Sequence, residues 1–576
     1  MASPIRDKRA NRRLGLLAAL LALGLGGILA RAFWLQVVDA PRLAALARSE
    51  HDGPAEAIPA IRGTIFDATG VPLAIGEQET TIVADPQQVE NPRGIALAAH
   101  ALLGVDANAL YPQLLNKKSQ FVYVERFADP SSAARFLRRG FLGISSYPDE
   151  RRSYPEGTVG AQVVGYAGVD DTGLGGLELA YNASLAGRAG SQTVVRDPNG
   201  RVLEVLDSRP PQEGADLFTS LDHTIQAEAE GVLRKTVKEW GAKDATAIVL
   251  DPRTGGILAM AQTPVYNDND TPEVPTADQT NRAVTDTYEP GSTFKLVTIT
   301  GALSEGLVTP STRFTLPYEL RYGPCEQCTV SDADFRPTET LSVAQILSQS
   351  SNVGAVTIAK MLGGQALQDW IQKFGFGSPT GIDFPGESAG FVLPVAHWSE
   401  TTIGNVPIGQ GISVTPIQMA SVYAAVANGG VWIQPHLVER VGSRAPQAWR
   451  HRRLMSPAVD AEVKTMLTGV VADPGATGNE AKIPGYSVAG KTGTAQVSNG
   501  HGYSKTDFTA SFVGMVPASN PRLVVLVKID DPRGSIYGGT VAAPAFREIA
   551  KFDLQYLEVP PDQPPDASRS VLSATP

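Results

Sequence analysis

The chain opens with an uncharged run from Leu14 to Ala30, whose 17 residues suffice to cross a hydrocarbon core of about 30 Å as a helix. Arg6, Lys8, Arg9, Arg12 and Arg13 precede the run against one acid, Asp7, and Phe33 and Trp34 follow it beyond Arg31. The charge bias predicts a cytoplasmic basic tail over 1–13, a single transmembrane anchor over 14–38, and an extracytoplasmic remainder. Ala30-Arg31-Ala32 also fits a signal-peptide cleavage site, but such h-regions run about 7–15 residues and carry no following aromatic anchor, which favours retention.

Over residues 41–215 the texture changes. Gly and Pro punctuate short strand-like runs with no dominating amphipathic helix, which predicts a mainly β domain. From residue 216 strands alternate with helical patterns. Ile248-Val249-Leu250 and Ile257-Leu258-Ala259-Met260 read as a hairpin around the turn Asp251–Gly256. Helices are expected after Gly291 and over 343–350, 355–362 and 418–427, with further strands over 486–489, 511–516 and 523–529. Strands at both ends of the segment with helices between them predict one antiparallel sheet packed by helices, an α/β domain over 216–555. The Pro-rich residues 556–576 are expected to be disordered. No repeat of 20–50 residues is present.

Composition narrows the function classes. A length of 576 residues favours three or four domains, and 43% hydrophobic with 19% charged residues is ordinary water-soluble usage. A formal charge of −10 argues against a nucleic-acid partner, because phosphate binding needs a basic face. Two cysteines, Cys325 and Cys328, and seven histidines without H-E-x-x-H spacing give no metal-site pattern, although the Cys pair can close a small disulfide outside the membrane.

Candidate chemistry centres on Glu289-Pro290-Gly291-Ser292-Thr293-Phe294-Lys295. Pro290 and Gly291 mark a break, so Ser292 stands at a helix N-terminus with Lys295 three residues on, over the same face. A serine hydroxyl needs a base, and Lys295 can serve only if burial and neighbouring positive charge keep it neutral. Alone, the pair reads as an N-cap serine with an exposed lysine. Ser350-Ser351-Asn352 and Lys491-Thr492-Gly493 change that, since all three bland readings must otherwise hold together.

Ser292-x-x-Lys295, Ser350-x-Asn352 and Lys491-Thr492-Gly493 resemble the three active-site motifs of the penicillin-recognising serine transferases. Arg62-Gly63 with Asp67 and Gly70, Tyr154-Pro155, Gly176-Leu177-Glu178, Gly409-Gln410-Gly411 and Gly538-Gly539 look like class B penicillin-binding proteins, most similar to the FtsI-like division and sporulation branch. The resemblance implies a penicillin-binding-protein or serine β-lactamase-like transpeptidase domain, preceded by a non-catalytic, dimerisation-like pedestal. It implies a D,D-transpeptidase that joins D-Ala-D-Ala stem peptides of peptidoglycan through a serine acyl-enzyme and is acylated by β-lactams.

In that reading Ser292 is the nucleophile and Lys295 its base. Ser350 shuttles a proton, Asn352 orients substrate and Lys295, and Lys491, Thr492 and Thr494 bind the terminal carboxylate beside Gly493. Backbone N–H groups of Ser292 and Thr494 form the oxyanion hole. No metal or organic cofactor is implied. A polytopic FtsW-like or RodA-like glycan polymerase is implied as partner, because residues before 216 do not look like a glycosyltransferase. Asp67-Ala68-Thr69-Gly70 departs from the Asp-Arg-Asn-Gly of many relatives and removes any contact made by that arginine. A D,D-carboxypeptidase, a β-lactam-hydrolysing or sensing protein, and a non-catalytic division scaffold are the competing readings.

Overall fold

The computed structural model describes residues 8–43, 56–196, 202–273, 275–444, 447–498 and 502–564. A helix covers Lys8–Phe33 and runs into a π-helical turn, Trp34–Val38. Asn11–Val38 is long and apolar enough to cross a membrane, with a mean hydropathy of 2.1 and none of that window buried. The helix begins at Lys8, so the described part of the basic tail is helical; residues 1–7 lie outside the described residues.

The chain divides into two compact units whose segments alternate along the sequence. The first takes in 1–60, 78–150 and 188–212. Within it, residues 80–84 pair antiparallel with Val122–Ala128, and a separate ribbon joins Glu56–Ile58, Gly190–Arg196 and Val202–Arg209. Three helices, Pro92–Leu103, Ala107–Leu115 and Pro130–Leu137, complete it, so a mainly β reading of this region is corrected to mixed. The buried faces of the first and third are narrow and include alanines, Ile95, Ala96 and Ala99 in one and Ala133 and Phe136 in the other, and the short middle helix buries only Leu110 and Leu114, which blurs the 3.6-residue hydrophobic period. The stronger signal was in the caps: Asn91, Asp106 and Asp129 each accept a backbone N–H, and Pro92 and Pro130 open two of the helices.

The second unit takes in 61–77, 151–187 and 213–576. Its centre is a five-stranded antiparallel sheet in the spatial order Ile257–Thr263, Asp244–Leu250, Leu523–Asp530, Tyr503–Val516, Ala489–Ser498. The expected sheet built from both ends of the segment is thus present. Successive side chains point to opposite faces. Ala245, Ala247, Val249, Val525 and Val527 face one core with the helices His223–Trp240 and Gly538–Tyr556, whereas Ile248, Leu250, Val524 and Leu526 face another with Lys295–Ser304 and Pro416–Ala427. Covering both faces explains the unbroken apolar runs in these strands. The expected strand over 486–489 instead starts at Ala489, so Lys491-Thr492-Gly493 lies inside an edge strand.

The helix Gly538–Tyr556 is followed by ordered chain to residue 564, where disorder was expected. Asp562 accepts from Ser487 N at 2.7 Å and Ser519 Oγ at 2.5 Å, and Tyr486 OH donates to Val559 O at 2.6 Å. These polar anchors add to the packing of Leu557 and Val559 against the core. The rest of the expected tail, 565–576, lies outside the described residues.

Arg62, in the second unit, has no exposed side-chain surface. Its Nε donates to Glu178 Oε2 at 2.7 Å and its Nη1 to Asn182 Oδ1 at 2.9 Å, while Arg152 Nε takes the other Glu178 oxygen at 2.7 Å. Removing one member of such a buried network strands its partner's charge. Arg62→Ala is expected to cost about 3–5 kcal/mol of folding stability, read as a lower urea midpoint for the whole chain.

Candidate active site

Ser292 sits in a single 3₁₀ turn, Gly291–Phe294, that leads into the helix Lys295–Ser304. The helix was expected to be amphipathic, yet every residue from Thr293 to Leu303 is buried, because it runs through the larger core with elements packed around it. Two glycines let the turn sit where it does. Gly291 has φ +54°, and a Cβ there would lie 2.7 Å from Thr494 O; at Gly493 a Cβ would meet Ser511 Oγ at 2.3 Å and Pro290 O at 3.0 Å. The edge strand therefore lies directly against the turn that carries Ser292. Tyr423 OH fixes the next peptide by donating to Thr293 O at 2.9 Å, and Glu289 Oε1 accepts from Gly411 N and Tyr503 OH, both at 3.0 Å.

The second motif occupies the break between the helices Val343–Ser348 and Asn352–Leu362, the first ending two residues before Ser350. Ser350 has φ +60°, a left-handed conformation that a non-glycine residue adopts only when its surroundings impose it. That turn aims both of its oxygens at lysines. Lys295 Nζ donates to Ser350 O at 2.5 Å, to Ser350 Oγ at 3.3 Å and to Asn352 Oδ1 at 2.7 Å; Lys491 Nζ donates to Ser350 Oγ at 2.9 Å. Lys491 also reaches Thr492 O and Oγ1 at 3.2 Å, and Thr492 Oγ1 donates to Thr477 Oγ1 at 2.9 Å. Thr494 Oγ1 accepts from Gly538 N at 3.2 Å.

Two fully buried ammonium groups sharing one serine oxygen cannot both keep an ordinary affinity for protons. Burial lowers Lys295 from 10.5 to about 7, with Asp332 pulling it back up. Burial, and then the charge of Lys295, holds Lys491 well below the usual lysine range. Lys295 Nζ is bonded to Ser350 and Asn352 and not to Ser292; among the described residues nothing hydrogen-bonds Ser292 Oγ, which is half-buried at the cleft.

Asp332 was not anticipated from the sequence. Its Oδ1 accepts from Asn352 N at 2.6 Å and Val353 N at 3.0 Å, capping the helix that begins at Asn352, and Ser351 Oγ and Arg336 Nε hold the carboxylate at 3.1 Å and 2.5 Å. Ser331 O receives Asn352 Nδ2 at 3.0 Å. A lone aspartate twenty positions upstream carries no local signal for this role. It follows a hairpin, Glu319–Arg321 with Thr329–Ser331, whose loop is closed by a Cys325–Cys328 disulfide with Cα atoms 5.1 Å apart.

An antiparallel sheet between helical layers, with a Ser-x-x-Lys turn, a Ser-x-Asn break and a Lys-Thr-Gly edge strand brought together by hydrogen bonds, defines the penicillin-recognising class of proteins. Comparisons agree. Residues 245–551 match the penicillin binding protein transpeptidase domain and residues 57–219 the penicillin-binding protein dimerisation domain. The chain is 33% identical to the probable peptidoglycan D,D-transpeptidase PbpC of Pseudomonas aeruginosa, across 97% of this chain and 98% of that protein. It is 32% identical to the peptidoglycan D,D-transpeptidase FtsI of Escherichia coli K12, across 96% and 92%. Penicillin binding protein 3 of Mycobacterium tuberculosis, solved with aztreonam, superposes with a TM-score of 0.70 at 28% identity, covering 88% of this chain and 99% of that one. The chain belongs to the class B penicillin-binding proteins.

Proposed function

We propose that this protein is a peptidoglycan D,D-transpeptidase working through an acyl-enzyme on Ser292. The observation that carries the proposal is the convergence of Lys295, Ser350, Asn352 and Lys491 into one hydrogen-bonded set beside the Ser292 turn. Ser292 Oγ attacks the carbonyl of the penultimate D-alanine as neutral Lys295 takes its proton, and the N–H groups of Ser292 and Thr494 meet the oxyanion. The C–N bond to the terminal D-alanine breaks, with Ser350 relaying a proton to the leaving amine. Lys491, Thr492 and Thr494 bind the terminal carboxylate, with Gly493 giving the strand close approach. An amine of a neighbouring stem peptide then takes the acyl group and frees Ser292. A β-lactam carbonyl enters the same path and stops at the acyl-enzyme.

The apolar N-terminal helix supports a single-pass anchor with a cytoplasmic tail over 1–13 and the domain at 216–555 outside the membrane. Residues 41–215 then form a pedestal, and a polytopic FtsW-like or RodA-like polymerase supplies the glycan. The likeness to FtsI supports a septal role. The test is incubation of the full chain in detergent with a stem pentapeptide and an amine acceptor, with mass analysis of products. Cross-linked dimer is the expected product; D-alanine release alone would select a carboxypeptidase, and neither product the scaffold.

Asp332→Ala is expected to slow acylation about 10²-fold, since freeing the Asn352 helix end displaces the group that orients Lys295. The check is the rate of penicillin adduct formation by intact-mass spectrometry.

A further inference from the structure

A cleft of about 640 Å³ that includes none of the residues of the Ser292 site lies between the loop after Phe374, the helix Pro416–Ala427 and the strand pair Val431–Ile433 with His451–Arg453. Arg450, His451 and Arg452 line it, and no acidic residue does. Arg450 is held in place: its Nε donates to Gln434 Oε1 at 2.9 Å and its Nη2 to Thr380 O at 3.1 Å, leaving Nη1 over. Arg452 lies over the Trp432 ring at 4.7 Å, and among the described residues neither arginine pairs with a carboxylate. Partial burial, and then the charge of the neighbouring Arg450, hold Arg452 below the usual arginine range.

The walls are stiff. The Gln418 side chain is spent on Thr415 N, Ser378 O and Ala389 O, and Trp449 stacks on the His436 ring at 4.3 Å. Paired guanidinium forks bind carboxylates in two-point fashion, and an aromatic face beside them suits the apolar face of a ring. Phosphate alone would use the arginines and leave the tryptophans idle.

We propose that this cleft is a second binding site, for a carboxylate-bearing sugar–peptide of the peptidoglycan type, with the carboxylate between Arg450 and Arg452 and the sugar ring against Trp449. The choice of sugar–peptide rests on the function proposed above; the arginine pair and the ring do not. The test is calorimetric titration of the full chain in detergent, after penicillin treatment, with N-acetylmuramoyl-L-alanyl-D-isoglutamine, which has a sugar ring and a free carboxylate but no D-alanyl-D-alanine. Inorganic phosphate is titrated separately.

The expected result is saturable binding, weakened about tenfold or more by Arg452→Gln. Ser378→Glu, at the exposed lip, puts a carboxylate into the cleft, keeps the backbone carbonyl that Gln418 uses, and should weaken binding equally in protein that melts like wild type. Absence of saturable binding, wild-type affinity in both variants, or phosphate binding as tightly as the sugar dipeptide would each overturn the proposal. Failure of Ser292 to acylate would count against the proposed function and leave this titration readable, because the probe lacks the group that site recognises.

Discussion

Ser292→Ala is expected to abolish covalent capture of penicillin and to lower transpeptidation by about 10⁴–10⁶-fold, while leaving the fold intact. The side chain is half-buried, and among the described residues nothing hydrogen-bonds its hydroxyl, so its loss breaks no described contact. The proposed oxyanion-hole donors are backbone groups and survive the change, so the variant is expected to retain substrate binding without a bond-forming atom. The check is intact-mass analysis of wild type and variant over hours beside thermal melting. A penicilloyl adduct in the variant would place the nucleophile elsewhere.

The second large effect belongs to Lys295. Lys295→Met should slow acylation by about 10²–10⁴-fold, the usual contribution of a positioned base, while preserving the volume of the buried stem. The two proteins should also differ in pH dependence. In the wild type the reactive amine is neutral only above its proton affinity, lowered to about 7, so the acylation rate should climb as pH rises through that value and level off above it. The Met variant should lack this limb. Folding stability carries the same sign: from about pH 7 to the ordinary lysine value of 10.5 the unfolded chain binds the proton that the folded chain has released, so Lys295 makes stability increase with pH across that window. Stopped-flow acylation and urea midpoints at several pH values measure both; a flat wild-type profile would sink the base assignment.

The sheet was legible because both of its faces are covered, which writes near-continuous apolar runs into Ile248–Leu250, Ser511–Val516 and Leu523–Ile529. Two of the helices over 92–137 escaped the same reading because alanines take part of their buried sides, and the third because it is short and buries only Leu110 and Leu114, although Asn91-Pro92 and Asp129-Pro130 stated where two of them begin. The strand at Ala489 was placed short for a related reason: Lys491, Thr492 and Gly493 look polar or flexible in a linear pattern, yet the site buries all three. Residues 557–564 bring Leu557 and Val559 to a core, but Pro560, Pro561 and Pro564 hide any helical or strand period, and the hydrogen bonds of Asp562 come from distant residues.

By itself the sequence determined the apolar N-terminal helix, the order of strands and helices, and three short motifs whose joint presence no chance reading explains well. Local chemistry suffices for those, because hydrophobic period, capping and turn residues act over a few positions. Tertiary structure alone decided that Lys295 and Lys491 share Ser350 Oγ, that Ser350 takes a left-handed turn, and that Asp332 holds the Asn352 helix end. Each depends on groups brought together across a long stretch of chain. The depressed proton affinities exist only once folding has stripped water from both amines, and no window of sequence contains that water.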